Sequence, residues 1–304
     1  MIGSVPLLLP RPVAYVLSGG GPFGAIQVGM LEAVEEAGLM PDLIVGASAG
    51  AVNGALVAMD PVGAARRLRT IWDGLDGHRV FPGRLWRHLV TLPRHPLHLY
   101  PPSGLDDVLR EHAGAGRIED LAVQFAAVAV DAADGEPVVL STGPLVSALR
   151  ASAAIPAVFP PVEREGRLLF DGGIAGNVPL SVAERLGAAS LVVFDCRLTS
   201  MPTRPPRTAR EALGFSLAVM LGREARVELD DAARRMPVLY LPGPQGGRGS
   251  IFDFSRTEAF RASAYTQSRA FLAEVVVDGP GLYGDPRPGE PSVARRRRRR
   301  LRRI

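Results

Sequence analysis

The stretch Gly46-Ala47-Ser48-Ala49-Gly50 limits what this chain can fold into more than any other. An apolar run, Leu43-Ile44-Val45, leads into it, and a small-residue stretch of helical character, Ala51 to Met59, follows. Strand, sharp turn and helix in that order are the setting of a nucleophile elbow. The backbone bends so tightly at the serine that its neighbours have no room for bulk. Gly46 and Gly50 leave that room, and Ala47 and Ala49 are the next smallest choice. The bend exposes the Ser48 hydroxyl where a base can reach it, and the following helix points its N-terminal partial positive charge at the same place. Taken alone, the pattern equally fits an ordinary strand-to-helix turn, because short Gly/Ala/Ser runs are common in a chain with 34 glycines.

A second glycine cluster lies upstream. Tyr15-Val16-Leu17-Ser18 reads as the end of a buried strand and runs straight into Gly19-Gly20-Gly21-Pro22-Phe23-Gly24. A helical pattern follows, with Ile26, Met30, Leu31 and Val34 on one face, closed by Gly38 and blocked by Pro41. Backbone N–H groups in such a loop form a site for negative charge. Two chemistries fit. Gly19, Gly21 and Gly24 have the spacing of a dinucleotide phosphate loop, with Asp42 near the offset of a ribose-binding acid. The same amides also suit an oxyanion hole for acyl transfer. Position separates the two. A ribose-binding acid ends its strand, whereas Asp42 precedes Leu43-Ile44-Val45 and begins it; the end of that strand carries Ser48. The glycine loop and the elbow then share one edge of a parallel sheet. A turn that serves packing alone is the plain alternative for these glycines.

Asp171-Gly172-Gly173 ends a short strand-like run, Arg167 to Phe170. An Asp-Gly-Gly turn is a common structural element, but beside Ser48 it is the candidate general base. A triad in the order Ser, acid, His needs a histidine after the acid. All five histidines (His78, His88, His95, His98 and His112) precede Asp171. The first four fall in a Pro- and Arg-rich stretch, 78–102, and His112 reads as a solvated residue after an amphipathic helix. The economical expectation is a Ser48–Asp171 dyad. An aspartate of ordinary pKa, about 3.9, is a weak base and needs partial burial and a direct hydrogen bond to the serine.

These three elements in this order resemble the patatin-like phospholipase family. Further similarity lies in Leu105-Asp106-Asp107-Val108-Leu109, in the run from Ala151 to Pro161 that approaches the acid, and in Asn177-Val178-Pro179 after it. The resemblance extends from about Val13 to Asp195. It implies a three-layer α/β/α sandwich around a mostly parallel sheet and hydrolysis of lipid acyl esters. It also implies Ser48 as nucleophile, Asp171 as base and the backbone of Gly19, Gly20, Gly21 and Gly24 as oxyanion hole, with Gly46, Gly50, Gly172 and Gly173 shaping the elbow and the acid loop. No cofactor or metal is expected. The family often carries Arg or Lys just before the last glycine of the loop, where this chain has Phe23. Two readings of that change stand open: loss of the positive charge weakens anion stabilisation, or the entrance becomes more apolar and favours neutral esters over phospholipids.

Apolar strand-like runs alternate with helical patterns: Val13–Ser18, Leu43–Ala47, Phe125–Asp131, Val138–Ser141, Leu191–Asp195 and Val238–Leu241, with Asp134-Gly135 marking a hairpin. Residues 1–10 read as an extension, 11–278 as the hydrolase domain and 279–304 as a Gly/Pro linker with an Arg-rich, disordered tail. All 35 basic residues are arginine, and removing the eight within Arg295–Arg303 turns the net charge from +4 to −4. The tail fits contact with an anionic membrane; non-specific nucleic-acid contact or no role at all are its alternatives. Segment 78–102, with Trp86 and several leucines, reads as a lid, or else as a short helix over Leu85–Leu92 closing the core. Glu211 to Arg235 reads as a charged helix with a break at Gly222, its arginines forming a solvated face. The single Cys196 excludes an internal disulfide and reads as a buried small residue. No apolar run reaches membrane-spanning length and no basic region precedes Val5–Leu9, so a cytoplasmic protein without a signal peptide is expected. Two other functions keep the same residues: a silent scaffold that retains the fold, and acyl transfer to an acceptor other than water.

Overall fold

Every residue of β1 (Val13–Leu17) is buried, and its side chains alternate between two separate cores. That is what a strand covered on both faces requires. The computed structural model describes residues 7–82, 98–196, 225–244 and 253–284. In chain order β1 is followed by α1 (Gly24–Glu36), β2 (Leu43–Ala47), α2 (Ala49–Met59), α3 (Ala64–Asp73), α4 (Gly77–Val80) and α5 (Ser103–Ala113). Next come β3 (Gln124–Asp131), β4 (Pro137–Leu140), α6 (Leu145–Ser152), β5 (Val162–Arg164), β6 (Arg167–Asp171), α7 (Leu180–Arg185) and β7 (Ser190–Phe194). Helix α8 (225–235), β8 (Pro237–Tyr240), α9 (Thr257–Glu274) and β9 (Gly281–Tyr283) complete the order.

The nine strands form one sheet in the order β5-β6-β3-β2-β1-β7-β8-β9, with β4 also paired to β3. Pairing is parallel from β3 through β2, β1, β7 and β8 to β9, and antiparallel among β3, β4, β5 and β6. Tyr15, Leu17, Ile44, Phe125 and Phe194 face the larger core, which is filled from α1, α2, α3, α5, α6 and α9. Val16, Val45, Leu191, Val193 and Val238 face the second core, covered by Leu180 and Val182 of α7 and by Ala225, Leu229 and Ala232 of α8. The architecture is therefore a three-layer α/β/α sandwich around a mostly parallel sheet.

Register brings the two ends of interest together. β2 pairs with β3 up to Ala47 opposite Val128, and β3 then pairs with β6, Ala129 opposite Asp171. The residue that leaves β2, Ser48, and the residue that ends β6, Asp171, thus flank consecutive positions of one strand. At the other edge Asp42 accepts from Val13 N–H at 2.7 Å and pairs with Arg11. It ties the starts of β1 and β2 together, far from a phosphate loop.

Two expectations change. The stretch from Gly279 does not begin as a linker: β9 extends the sheet, with Tyr283 buried and its hydroxyl bonded to the Asp278 carboxylate. A three-residue strand behind a Gly-Pro-Gly run is too short for periodicity to reveal. The antiparallel pair β5/β6 turns at Glu165-Gly166, both at positive φ, where only β6 was expected. Helix α8 presents Ala225, Leu229 and Ala232 to the core and leaves Arg234 and Arg235 exposed, in keeping with a solvated arginine face; residues 211–224, including Gly222, lie outside the described residues. The same holds for residues 83–97, with Leu85–Leu92, His88 and His95, and for 285–304 with Arg295–Arg303. The flanks of the lid-like segment are anchored. Phe81 stacks on Phe159 at 5.4 Å, and the Leu99 and Tyr100 amides bond the carbonyls of Ala157 and Val158. No helix among the described residues is long and apolar enough to cross a membrane.

Candidate active site

Ser48 occupies the junction of β2 and α2 with φ 54° and ψ −126°, a conformation that L-residues rarely adopt. Close packing on both sides enforces it. A Cβ at Gly46 would overlap the Gly50 carbonyl, and one at Gly50 would overlap the carbonyls of Leu17 and Ser18. The Ser48 N–H donates to Ser152 Oγ at 3.0 Å, and the Ser152 hydroxyl donates to the Val128 carbonyl at 2.6 Å. A serine at a helix N-cap ordinarily accepts from the first-turn amides. Ser48 makes no such bond; its hydroxyl instead donates to Asp171 Oδ2 at 2.6 Å.

Asp171 is held equally firmly. Its other oxygen accepts from Gly173 N–H at 2.7 Å. Its own N–H donates to the Ala154 carbonyl at 3.0 Å. Gly172 lies so close to β3 that a Cβ there would overlap the Val128 carbonyl. Ser48 and Asp171 are each 5% exposed. Burial raises the Asp171 carboxyl to about 6, against the opposing pull of the hydrogen bonds from Ser48 and Gly173.

The glycine loop lies against this pair. A Cβ on Gly19 would sit 3.2 Å from Ser48 Cβ. Its amides are not equally available. Gly19 N–H donates to the Asn177 carbonyl, Phe23 N–H to the Gly20 carbonyl and Gly24 N–H to the carbonyls of Gly21 and Pro22. Among the described residues, the N–H groups of Gly20 and Gly21 find no acceptor. Asn177 also donates its side-chain amide to the Gly19 carbonyl at 3.2 Å, bracing the loop against the acid turn. Cys196 is buried, as expected, with its Cβ against the open face of Gly20, where a Cβ would meet it at 2.6 Å.

A sequence model of the patatin-like phospholipase family matches residues 15–184, a span that holds the glycine loop, the elbow and Asp171. The chain belongs to this family. A patatin-like phospholipase domain-containing protein of Caenorhabditis elegans is 31% identical over 193 residues, covering 62% of this chain and 14% of that protein. The lysophospholipase nte1 of Aspergillus terreus is 30% identical over 297 residues, covering 90% of this chain and 19% of its own length. The chain thus spans less than a fifth of either patatin-like relative. Among solved structures, VipD from Legionella pneumophila is similar with a TM-score of 0.46 at 16% identity, over 86% of this chain and 67% of that one.

Of the described histidines in this patatin-like domain, His98 Nδ1 contacts the Tyr100 carbonyl at 3.0 Å and His78 is exposed in α4. His112 is half-buried at the end of α5 beside Glu111, less solvated than expected. Phe23 packs on Phe260 of α9 at 5.6 Å, and the Arg256 guanidinium lies 4.7 Å over the Phe260 ring. Ser152 escaped the reading of the sequence. Its one signal is a hydroxyl at the end of the helix that approaches the acid, and its partner Ser48 is 104 residues away. No group of three or more His, Cys, Asp or Glu among the described residues could hold a metal ion.

Proposed function

We propose that this patatin-like domain hydrolyses lipid acyl esters through Ser48 and Asp171. The hydrogen bond from Ser48 Oγ to Asp171 Oδ2, 2.6 Å long and made on a strained elbow, carries the reading. Ser48 Oγ attacks the ester carbonyl carbon and Asp171 Oδ2 takes the hydroxyl proton. The developing oxyanion is met by the Gly20 and Gly21 amides, the two in the loop that have no other acceptor. As the tetrahedral intermediate collapses, Asp171 returns the proton to the departing alcohol. Water then attacks the acyl-Ser48 carbonyl while Asp171 takes its proton; as the second tetrahedral intermediate collapses, the acyl–Oγ bond breaks, Asp171 returns the proton to Ser48 Oγ, and the free acid leaves. A carboxyl at about 6 is mostly ionised at neutral pH and a far better proton acceptor than one of ordinary pKa.

The names of the relatives support lipid substrates, lysophospholipid esters included. The Phe23–Phe260 pair supports an apolar side to the loop. We further propose that the enzyme is cytoplasmic and that Arg295–Arg303, outside the described residues, draw it to anionic lipid. Ser48→Ala and Asp171→Asn, assayed on a short-chain aryl ester, test the chemistry. Activity left intact by either change rejects that residue's role. A fluorophosphonate probe that forms no Ser48-dependent adduct would favour a silent scaffold.

A further inference from the structure

Two buried amide side chains behind the glycine loop take no part in the chemistry above. Gln27 of α1 is fully buried and Asn53 of α2 is 1% exposed. Gln27 Nε2 donates to the carbonyls of Ser18, at 2.8 Å, and Phe194, at 3.0 Å. Asn53 Nδ2 donates to the Gly24 carbonyl at 3.0 Å and to Gln27 Oε1 at 2.8 Å. Asn53 Oδ1 in turn accepts from Trp72 Nε1 at 2.9 Å.

We infer that Gln27 and Asn53 are positioning residues that clamp both ends of the glycine loop to the nucleophile helix. Ser18 immediately precedes the loop and Gly24 closes it, so the two carbonyls gripped are its two ends. Asn53 lies on α2, five residues after Ser48, and carries the grip to the helix that sets the nucleophile. Phe194 ends β7, so the same amide also fixes the loop against the neighbouring strand. A side-chain amide is the group this job needs: two donors and an acceptor without a charge to bury. All five N–H bonds of Gln27, Asn53 and Trp72 are made, and a buried network so completed is stiff. Stiffness matters here because an oxyanion hole works only if its donors already stand at the right distance from the place where the substrate's carbonyl oxygen becomes the oxyanion. Packing alone would be met by apolar side chains, which would leave the loop ends unheld.

The inference rests on the hydrolase reading. Its test is Gln27→Met, close in shape and unable to make these bonds, with kcat expressed per active site titrated by a fluorophosphonate. The expected result is a kcat lower by about 10²-fold, the cost of a displacement near 1 Å. KM should stay within about twofold of the parent and the pH midpoint should not move, because Asp171 keeps its bond to Ser48. A purely structural role would lower melting temperature and yield while leaving kcat per titrated site unchanged, and that result overturns the inference. Trp72→Phe, which removes the last donor and keeps an aromatic ring in the core, covers the case in which Gln27→Met does not fold. A several-fold loss of kcat in Trp72→Phe supports the clamp, and full kcat there rejects it. Activity that persists in Ser48→Ala would instead sink the hydrolase reading and the clamp with it.

Discussion

At the scale of single residues, burial has placed Asp171 where its ionisation is costly. The folded carboxyl titrates at about 6, above the usual 3.9. The native state therefore binds this proton more tightly than the unfolded chain does. The stability it lends is full below about pH 4 and is lost as pH rises through 6. Hydrolysis needs the ionised form, so kcat/KM should climb through an apparent pKa near 6 in a pH–rate profile. Asp171→Asn should abolish activity and yet melt higher than the parent at pH 8, with the difference shrinking toward pH 4.5; thermal melts at the two pH values decide it. Ser48→Ala should lower ester hydrolysis by about 10³-fold or more. Ser152→Ala leaves the strained Ser48 amide without its acceptor, a loss of about 1–3 kcal/mol for a buried donor, readable by denaturant titration. The pentapeptide, the triple glycine and the acid turn were all visible in the sequence because each is local. Ser152, Gln27 and Asn53 were not. None of them belongs to a local motif that marks its role, and its partners are reached only through the fold.

At the scale of elements, the site depends on how closely β3 approaches its neighbours. β3 takes Ala47 of β2 opposite Val128 and Asp171 of β6 opposite Ala129. Gly172 makes that approach possible, since any side chain there would meet the Val128 carbonyl. Gly172→Ala should push β6 away from β3. Fluorophosphonate labelling of Ser48 should then fall much more than far-ultraviolet circular dichroism changes. The strands that flank the site were legible, to within a residue or so, from apolar runs bounded by turn residues. β5 and β9 were not, because three residues carry too little pattern to tell a strand from a loop. Helix α8 read as charged because its arginines are conspicuous and the alanines that pack are not.

At the scale of the whole molecule, the sheet ends later than composition suggests. Deleting residues 285–304 leaves β9 beside β8, whereas deletion from Gly279 also removes β9 and buried Tyr283. The shorter deletion should keep its melting temperature and its rate on a dispersed ester while binding less to vesicles rich in anionic lipid. The longer one should lose several degrees. Vesicle co-sedimentation and thermal melts on the two truncations check both statements. The hydrogen bond between hydroxyl and carboxylate spans 123 positions of chain. On the proposed chemistry, a nascent polypeptide that has not yet reached Asp171 carries an attacking group with nothing to accept its proton. On that proposal the hydroxyl gains its proton acceptor, and the chain its activity, only once the sheet has closed around β3.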